Sequence, residues 1–462
     1  MLGVWLAQYV PSEALGSASW LLVAIVIIGV CFWKRYMYLL LPLVIAGALL
    51  GVYRGTLQQS DLSVAAVFFG QTHTVTGTVR EDVDINTAGK SVIRLGNLMV
   101  DGTNIAGSAW ITSKSDSDIK RGDIVSVSGK VEQGFGTFVL VMYDGLVTQV
   151  QRPQPGDVAR QARDWFADGV RTAIPAPQSS LGIGYLVGQK RALPADLIEA
   201  LQIVGLTHVV VASGYNLTIL VRLARRLFEK ISKYLAALSS SGMILAFIAV
   251  TGLSPSMSRA GLVAGLALAA WYYGRKFHPV ILLLFAAAVT VVVNPSYAWG
   301  DLGWQLSFAA FGGVMILAPL LQRYFFGEQP PGFLRRIMFE TLSAIIATAP
   351  ILIGAFGQFS NVALIANMLV VPLVPLAMLL TFIAGVGALL FPAAATLVGL
   401  PATWLLTYMI GVADYFAGLS WAVTPVELPQ GGVAVCYGLI IAVCFYLWRV
   451  TRYDLRDSNI VV

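Results

Sequence analysis

The chain has 462 residues, of which 57% are hydrophobic and 12% charged, and its formal net charge is +6. This balance excludes a set of soluble domains and is typical of a polytopic membrane protein. All three cysteines, Cys31, Cys436 and Cys444, lie in apolar stretches. They therefore predict neither a disulfide framework nor a metal site.

Apolar stretches that are long enough, or nearly long enough, to cross a bilayer predict about eleven spans. They cover residues 20–33, 37–53, 206–224, 235–252, 257–274, 278–293, 303–321, 338–357, 361–391, 400–420 and 431–448. Basic residues follow every second span, and this pattern predicts an inner-membrane protein with its N-terminus outside and its C-terminus in the cytoplasm. The stretch 361–391 contains Pro372 and Pro375, so it predicts either one broken span or a re-entrant pair.

Residues 73–150 have a different pattern, in which polar and apolar side chains alternate. Five such segments, separated by the turn-like sequences NTAGK, DGTN, SKSDSD and EQG, predict five short strands. Strands of this number and size favour a small OB-like barrel. The predicted fold is thus a polytopic α-helical membrane protein with an inserted, extracytoplasmic all-β barrel.

The same patterns predict four domains. They are an N-terminal transmembrane hairpin (1–55), the barrel (56–156), amphipathic or interfacial helices (157–200) and a transmembrane domain (201–462). The helix expected over 157–174 places its apolar side chains on one face. It either rests on a membrane surface or packs against the barrel.

Polar side chains interrupt four of the apolar stretches. Segment 1 is GLTHVVVASGYNL (205–217), segment 2 is TGLSPSMSRAGLVAG (251–265), segment 3 is NPSYAWGDLGWQLSF (294–308) and segment 4 is FGQFSNVALIANMLVVPLVP (356–375). An amide or a charge buried in hydrocarbon without a partner costs several kcal/mol, so such groups must face one another or water. We therefore expect the four segments to line a common wet interior, for which Gly and Pro beside polar groups also argue.

The candidate lining residues come from all four segments. They are His208, Ser213, Gly214, Asn216, Arg259, Gln305, Gln358 and Asn367. Asp301 and Asp414 are candidates for an ion pair or a proton relay. For single residues a simpler reading stays open, because Ser, Gly and Asn also pack membrane helices closely and Arg259 can extend to the interface.

The residue inventory argues against metal or nucleotide chemistry. Three histidines occur in the whole chain, without H-E-x-x-H or C-x-x-C, and GIGYLVGQK (182–190) does not have the spacing of a phosphate-binding loop. We expect no cofactor, no bound metal and no enzymatic activity. An intramembrane hydrolase built from Ser213, His208 and Asp301 or Asp414 stays open as a less favoured alternative.

Taken in order, the four segments resemble motifs of the ComEC family of competence proteins. LVGQKRALPADLIEALQIVGLTHVVVASGYNL (186–217) is similar to the family's G-x-[RK]-x-x-L-P…G-L-x-H-[LI]-[LV]-A-[IV]-S-G signature. LSPSMSRAGLVAG resembles P-P-S-x-x-R-A, NPSYAWGDLGWQLSFAAFGGV resembles N-P…D-x-G-F-Q-L-S-F, and GQFSNVALIANMLVVPLVP resembles F-x-x-x-S…N-x-x-[AV]-[IV]-P. The resemblance implies that the chain passes single-stranded DNA across the cytoplasmic membrane during natural transformation.

The sequence departs from the family pattern at two points. Asn216 stands where the family usually has a second histidine after S-G, which argues against a role that needs a titratable imidazole there. Many members carry a metallo-β-lactamase-like domain, but this sequence contains no H-x-H-x-D. We expect that any nuclease for the other strand is a separate protein or is dispensable.

A DNA path through a membrane needs donors for phosphates and flat groups for bases. Arg259 is the expected phosphate contact, and His208, Ser213, Asn216 and Gln305 are the expected lining donors. In the barrel, Trp110, Phe135 and Phe138 are candidates for base stacking, although aromatic residues at strand spacing are more often core, which we favour here. Acidic residues outnumber basic ones over 55–156, so uniform electrostatic capture of DNA is not expected.

The resemblance also implies partners. They are single-stranded DNA, membrane lipids, an external DNA-delivery protein and a cytoplasmic helicase or strand-binding protein. The helicase, the strand-binding protein or a proton gradient acting through His208 or Asp414 would supply the free energy. A secondary transporter for a smaller anionic solute is the main alternative function, and the oligomeric state stays open.

Overall fold

A computed structural model describes residues 2–7, 23–28, 40–86, 89–114, 118–189, 193–210, 214–252, 254–275, 278–329 and 331–453. The chain divides into two compact units. The β unit contains Met1–Gly156 and Phe285–Gln305, and the helical unit contains Asp157–Leu284 and Leu306–Val462.

Seven strands form the sheet of the β unit. They are β1 (Thr72–Val79), β2 (Asp84–Ile85), β3 (Ser91–Val100), β4 (Thr103–Ser113), β5 (Ile124–Gln133), β6 (Leu140–Met142) and β7 (Leu146–Gln151). Strand β1 pairs with both β3 and β5, and β6 joins β4 to β5, so five strands close into a barrel. The β4–β6 pairing is parallel, and the other four pairings of the ring are antiparallel. This confirms the predicted five-stranded, OB-like barrel, to which β2 and β7 are additions.

The alternation of side chains explains the barrel interior. Val75 and Val79 of β1, and Ile93 and Leu95 of β3, are at most 1% exposed and belong to one apolar core. The β3–β4 hairpin turns at Asp101 and Gly102, whose φ angles are 45° and 86°. Two consecutive positive φ angles are typical of a type I′ turn, which suits the twist of the flanking strands.

Two acidic residues near the barrel turns have lowered pKa values. A hydrogen bond from the His73 ring and a second from the Thr74 backbone N–H lower the pKa of Asp101 below its ordinary value of 3.8. A hydrogen bond from Lys90 lowers the pKa of Asp144 in the same way. Because folding lowers both pKa values, these carboxylates stabilise the barrel above pH 3.8, and the contribution is lost as the pH falls through the folded-state pKa values.

We expect Asp101→Asn to loosen the β1 end of the barrel at neutral pH and to remove part of its acid sensitivity. Hydrogen exchange of the Thr74 amide in the full-length chain, normalised for intrinsic exchange, should become several-fold faster in the variant. Glu427→Gln changes an exposed carboxylate of the helical unit and is the control. Equal protection of Thr74 in the wild type and the variant would contradict the role of this carboxylate.

A long helix, Leu40–Ala65, leads directly into the barrel. Its last residue, Ala65, is fully buried in the barrel core, and Leu62 and Phe69 pack against the same core. Near its middle, Arg54 donates to the carbonyl oxygens of Val292 at 3.0 Å and Val293 at 3.1 Å. These are the last carbonyls of helix Pro279–Val293, so Arg54 caps that helix C-terminus.

Sixteen further helices follow the barrel in the described part of the chain. They are Val158–Ala173, Gln178–Val187, Ala195–Ile203, Thr207–Val210, Gly214–Glu229, Lys233–Thr251, Pro255–Tyr272, Pro279–Val293, Tyr297–Gly300, Leu302–Gly312, Ala318–Phe326, Phe333–Phe356, Ala363–Val370, Val374–Leu390, Ala395–Ala417 and Gln430–Thr451. A π-helical turn, Gly313–Leu317, joins Leu302–Gly312 to Ala318–Phe326. Two short strands, β8 (Gln358–Ser360) and β9 (Val423–Pro425), form a separate antiparallel pair.

Among the described residues, six helices are long and apolar enough to cross a membrane. They are Lys233–Thr251, Leu302–Phe326, Phe333–Phe356, Ala363–Leu390, Pro392–Ala417 and Gly431–Thr451. The chain is therefore a membrane protein of mostly helical structure, as predicted, and six of the eleven expected spans correspond to these helices. Of the other five expected spans, 20–33 and 37–53 extend beyond the described residues, and 206–224 includes three residues outside them. The span 257–274 corresponds to the 18-residue helix Pro255–Tyr272, and 278–293 to the 15-residue helix Pro279–Val293; neither is among the six.

The stretch with two prolines forms one helical element. Ala363–Val370 continues through a 3₁₀ turn at Val371–Leu373 into Val374–Leu390. Pro372 lies within that turn, where its missing N–H and its ring interrupt regular α-helical hydrogen bonding. Of the two predicted alternatives, the structure has the single interrupted span.

Helix Val158–Ala173 packs within the helical unit. A Cβ placed on Gly169 would lie 2.9 Å from Leu389, and one placed on Gly385 would lie 2.6 Å from the ring of Phe166. These glycines let the helix approach Val374–Leu390 closely. Val158 and Trp165, in contrast, are 61% and 63% exposed, whereas Arg160 and Arg163 are buried. The packed face is therefore not the purely apolar face that the sequence predicted, because the apolar side chains are divided between it and the open face.

Candidate functional site

Asn216 anchors segment 1 within the helical unit. It is completely buried, and its Nδ2 donates a hydrogen bond of 3.0 Å to the backbone carbonyl of Tyr185. Tyr185 is itself 1% exposed and belongs to helix Gln178–Val187, which is buried along most of its length. The amide therefore ties the start of helix Gly214–Glu229 to a buried helix and satisfies a polar group that burial would otherwise penalise.

The other candidates of segment 1 differ in their surroundings. His208 is exposed, and its Nδ1 lies 2.9 Å from the carbonyl oxygen of Gly205. Gly214 begins its helix, and a Cβ placed there would lie 3.2 Å from the Cβ of Ala260 in segment 2. Ser213 lies outside the described residues.

Arg259 is the buried cation of segment 2. Its side chain is on helix Pro255–Tyr272, whose N-cap is Ser254, and the residue is 3% exposed. The guanidinium carbon lies 5.7 Å from the centre of the Phe308 ring, which belongs to segment 3. A cation over an aromatic face at this distance is attracted by the ring quadrupole, and more strongly when both are removed from water.

In segment 4, the two ends have different structures. Gln358 is exposed at the start of β8, which pairs with β9. Asn361 closes this pair, because its Nδ2 donates to the Trp421 carbonyl at 2.8 Å. Asn367 lies further along, is 2% exposed, and donates through Nδ2 to the Ala363 carbonyl at 2.7 Å on its own helix.

Residues of the four segments make a chain of contacts inside the helical unit, to which segment 3 contributes Phe308. A Cβ placed on Gly205 would lie 3.1 Å from the Cβ of Ala363, which connects segments 1 and 4. Gly214 and Ala260 connect segments 1 and 2, and Arg259 and Phe308 connect segments 2 and 3. The polar segments thus meet as neighbours, although they are up to about 150 residues apart in the sequence.

Segment 1 also joins two hydrophobic cores. Leu206, near the start of segment 1, shares one core with Val362 and Ala366 of segment 4. Leu217, at the other end of segment 1, shares a second core with residues of helices Lys233–Thr251 and Pro255–Tyr272. Segment 1 is therefore fixed at both ends by buried apolar side chains, with the S-G-Y-N sequence between them.

The acidic candidates and Gln305 lie elsewhere. Asp301 belongs to the β unit, and its Oδ1 accepts the backbone N–H of Trp304 at 2.5 Å, which caps helix Leu302–Gly312. Gln305 is also in the β unit, with Nε2 at 3.4 Å from the Trp299 carbonyl. Asp414 is exposed on helix Ala395–Ala417. Their roles as an ion pair, a proton relay or lining groups stay predictions.

The barrel has an aromatic face on its outside. The ring of Trp110 lies 5.5 Å from that of Phe135 and 5.8 Å from that of Tyr143, and Phe135 lies 5.6 Å from Phe138. Phe135 is 49% exposed and Tyr143 is 52% exposed, and the barrel core contains neither. The core assignment that the sequence favoured for these aromatics is therefore wrong. Trp110 lies between Ala109 and Ile111, whose side chains point into the barrel, so its own side chain points out.

The loop that carries Phe135 and Phe138 touches segment 3 within the β unit. A Cβ placed on Gly136 would lie 2.7 Å from the carbonyl oxygen of Gly300. A Cβ on Gly300 would in turn collide with the Gly136 backbone. Two glycines therefore allow this backbone-to-backbone approach, which places the aromatic loop one residue from Asp301.

Sequence reasoning missed two parts of this arrangement. GIGYLVGQK, considered only as a failed phosphate loop, contains the tyrosine whose carbonyl holds Asn216. Its small residues give a close helix contact, since a Cβ on Gly182 would lie 2.7 Å from Thr381 Oγ1. The repeated small residues of SSLGIG were the available signal. The Gly136–Gly300 contact has no comparable signal.

Comparisons with known proteins agree with the motif analysis. The family model described as "Competence protein" matches residues 185–451. The ComE operon protein 3 of Bacillus subtilis (strain 168) is 27% identical over 216 residues, which is 46% of this chain and 27% of that protein. The chain thus aligns with about a quarter of the length of this curated relative. No solved structure matches the chain.

Proposed function

Because the chain belongs to the competence protein family, whose model covers more than half of it, we propose that it conducts single-stranded DNA across the cytoplasmic membrane during natural transformation. The observation that carries this proposal is the chain of contacts among the four segments in the helical unit. A polyanion can cross hydrocarbon only beside groups that replace water. The four segments, which contain such groups, lie next to one another in a bundle of apolar helices.

The polar residues have different roles in this proposal. Arg259 is the phosphate contact, since it is the buried cation of segment 2 and a ring of segment 3 holds it in place. Asn216 and Asn367 hold helices, because each donates to a backbone carbonyl. His208, Ser213, Gly214, Gln305 and Gln358 remain the proposed lining groups, with Asp301 and Asp414 as the proposed ion-pair or proton-relay groups.

The partners and the location belong to the same proposal. The barrel faces the outside, where an external DNA-delivery protein supplies the strand, and the basic connections face the cytoplasm. A cytoplasmic helicase or strand-binding protein, or the proton gradient, drives movement. The chain acts as a conduit without enzymatic activity, and the surrounding membrane lipids contact its outer, apolar surface.

The test is entry of labelled DNA into cells. Cells that lack the chain should bind DNA at the surface without importing it, and the wild-type chain should restore import into the cytoplasm. Import that continues without the chain would refute the proposal. Restored uptake of a small anionic solute without DNA import would favour the transporter, and a function lost with Ser213→Ala while DNA import continues would favour the hydrolase.

We expect the aromatic face of the barrel to bind bases. Stacking on an aromatic side chain contributes about 1–3 kcal/mol per base, so Trp110→Ala or Phe135→Ala should weaken oligonucleotide binding by the full-length chain about 5- to 150-fold. Fluorescence anisotropy with a labelled single strand measures this. Trp404→Ala removes a 71% exposed tryptophan of the helical unit and is the matched control. Unchanged affinity in the Trp110 and Phe135 variants would exclude a stacking role for this face.

A further inference from the structure

Helix Gly214–Glu229 has two faces of opposite character. Asn216, Leu217 and Ala224 are its buried residues. On the opposite side, at helical spacing, lie Tyr215, Arg222, Arg225, Arg226 and Glu229. Segment 1 therefore supplies the first residue of a polar face that continues along the helix for about 20 Å.

A second helix brings another arginine to this face. Arg336 of helix Phe333–Phe356 lies close enough to Arg222 for their charges to interact. Arg336 donates through Nε to Glu340 Oε1 at 2.8 Å, and Glu340 also attracts Arg222. We call Arg222, Arg225, Arg226 and Arg336 the basic stripe.

An aromatic residue stands at the side of the basic stripe. The Arg225 guanidinium carbon lies 5.2 Å from the centre of the Trp271 ring, and Lys233 Nζ lies 5.7 Å from the same ring. Within the part of the chain that the structure describes, neither Arg225 nor Lys233 forms an ion pair with a carboxylate. Trp271 thus holds two cations that keep their charge available to an incoming anion.

The charges of the basic stripe are not balanced. Two carboxylates accompany its four guanidinium groups: Glu229 on the same face of the helix, and Glu340, which is bonded to Arg336. Arg222 is half-buried, so water screens its repulsion from Arg336 only partly. Folding brings these like charges together at a cost, and binding of an anion offsets that cost. Guanidinium groups suit phosphate because they donate paired, parallel hydrogen bonds.

We propose that the basic stripe binds successive phosphodiester groups of single-stranded DNA as the strand leaves segments 1 and 2 on its way to the cytoplasm. This inference rests on the proposed function and adds the exit side of the path. The helix links the two parts directly, because Gly214 contacts Ala260, the neighbour of Arg259, and Arg222 lies two turns further along the same helix. Tyr215, 42% exposed between them, offers a ring for a base.

The stripe favours a strand over a lipid headgroup. A headgroup at the interface needs cations on the outer rim, such as the exposed Lys230 and Arg275. Arg222 and Arg336 instead belong to two different helices and lie close enough for their charges to interact, and Arg222 is half-buried. Its three arginines on helix Gly214–Glu229 continue the polar face that begins at Tyr215 of segment 1. An arrangement along the helix suits a polymer with a charge at every repeat.

The test uses the full-length chain in nanodiscs of zwitterionic lipid with a labelled single-stranded oligonucleotide. The double variant Arg222→Gln/Arg225→Gln should weaken oligonucleotide binding at least about tenfold at low salt. It should also reduce the slope of log affinity against log salt by about 1.4, because each phosphate that the protein no longer neutralises contributes about 0.7. An abasic oligonucleotide should show the same weakening, because the stripe binds phosphates. Arg275→Gln/Arg335→Gln removes two exposed arginines, and with the same charge change should leave the slope unchanged.

Three outcomes of this binding experiment would overturn the proposal, and a fourth comes from DNA import by cells. They are a wild-type slope in the Arg222/Arg225 variant, an equal weakening in the control variant, and a variant that binds the oligonucleotide normally but loses enrichment of anionic lipid in mixed nanodiscs. The last result would make the stripe a lipid site. Normal DNA import by cells with the Arg222/Arg225 variant overturns the exit stripe alone, whereas import in cells without the chain overturns the conduit itself.

Discussion

Replacement of Arg259 by alanine should reduce entry of labelled DNA into the cytoplasm at least about 100-fold. In the proposed path Arg259 pairs with a phosphate of the strand, and removal of one member of a buried charged pair costs about 3–5 kcal/mol. Arg259 is 3% exposed and its guanidinium lies over Phe308. Because this position is buried, water does not take the place of the guanidinium beside a phosphate in the proposed path. The measurement is nuclease-resistant label in the cytoplasm, compared with label bound at the cell surface.

Two companion variants separate this role from a folding defect. Arg259→Lys keeps the charge but loses the paired donors, so it should give an intermediate uptake. Arg275→Ala removes an exposed arginine of the same unit and should behave as the wild type. If Arg259→Ala accumulates normally in the membrane and imports DNA at the wild-type rate, Arg259 does not contact the strand.

Asn216→Asp should be the most damaging isosteric change in the helical unit. Asn216 Nδ2 donates to the Tyr185 carbonyl at 3.0 Å in a completely buried position. A carboxylate would place an acceptor against that carbonyl and bury a charge, at a cost of about 3 kcal/mol or more. We expect the variant to lose most of its membrane accumulation and, with it, DNA import.

Asn216→His is the informative partner of this change. An imidazole N–H can still donate to the Tyr185 carbonyl, and the resembling family pattern usually has histidine at this position. The histidine variant should therefore accumulate and import DNA far better than the aspartate variant, with Asn216→Ala between them. Equal accumulation of the aspartate and histidine variants, measured by membrane immunoblotting, would show that the donor at this position is not needed.

The barrel could be predicted in detail, because alternation with a period of two is a local property. The two missed strands show the limit of that signal: β2 has two residues, and β7 has mostly exposed side chains without alternation. The face of Trp110 was also available from the pattern, since it lies out of phase with the buried Ala109 and Ile111. The hydrophobicity of Trp110 alone favoured the core, whereas its position in the alternation of strand β4 correctly indicates the outer face.

The helical unit was less predictable, for physical reasons. Hydropathy identifies long apolar helices, and it found the six that could cross a membrane, but it does not count shorter ones reliably. The polar segments could be recognised because polar groups in apolar stretches are costly. Their contacts could not, since Asn216 binds a backbone carbonyl, and every residue has one. Likewise, no local pattern reveals that Gly136 meets Gly300.

The interior of the barrel has a consequence for any polymer that reaches it. Valine, isoleucine and leucine side chains occupy the space inside the five strands, and the end of helix Leu40–Ala65 packs against the same core. The described strands therefore leave no lumen through which a nucleotide could be threaded. A nucleic-acid strand that binds to this domain must therefore lie across its outer surface, where both ends of the strand stay accessible to other proteins.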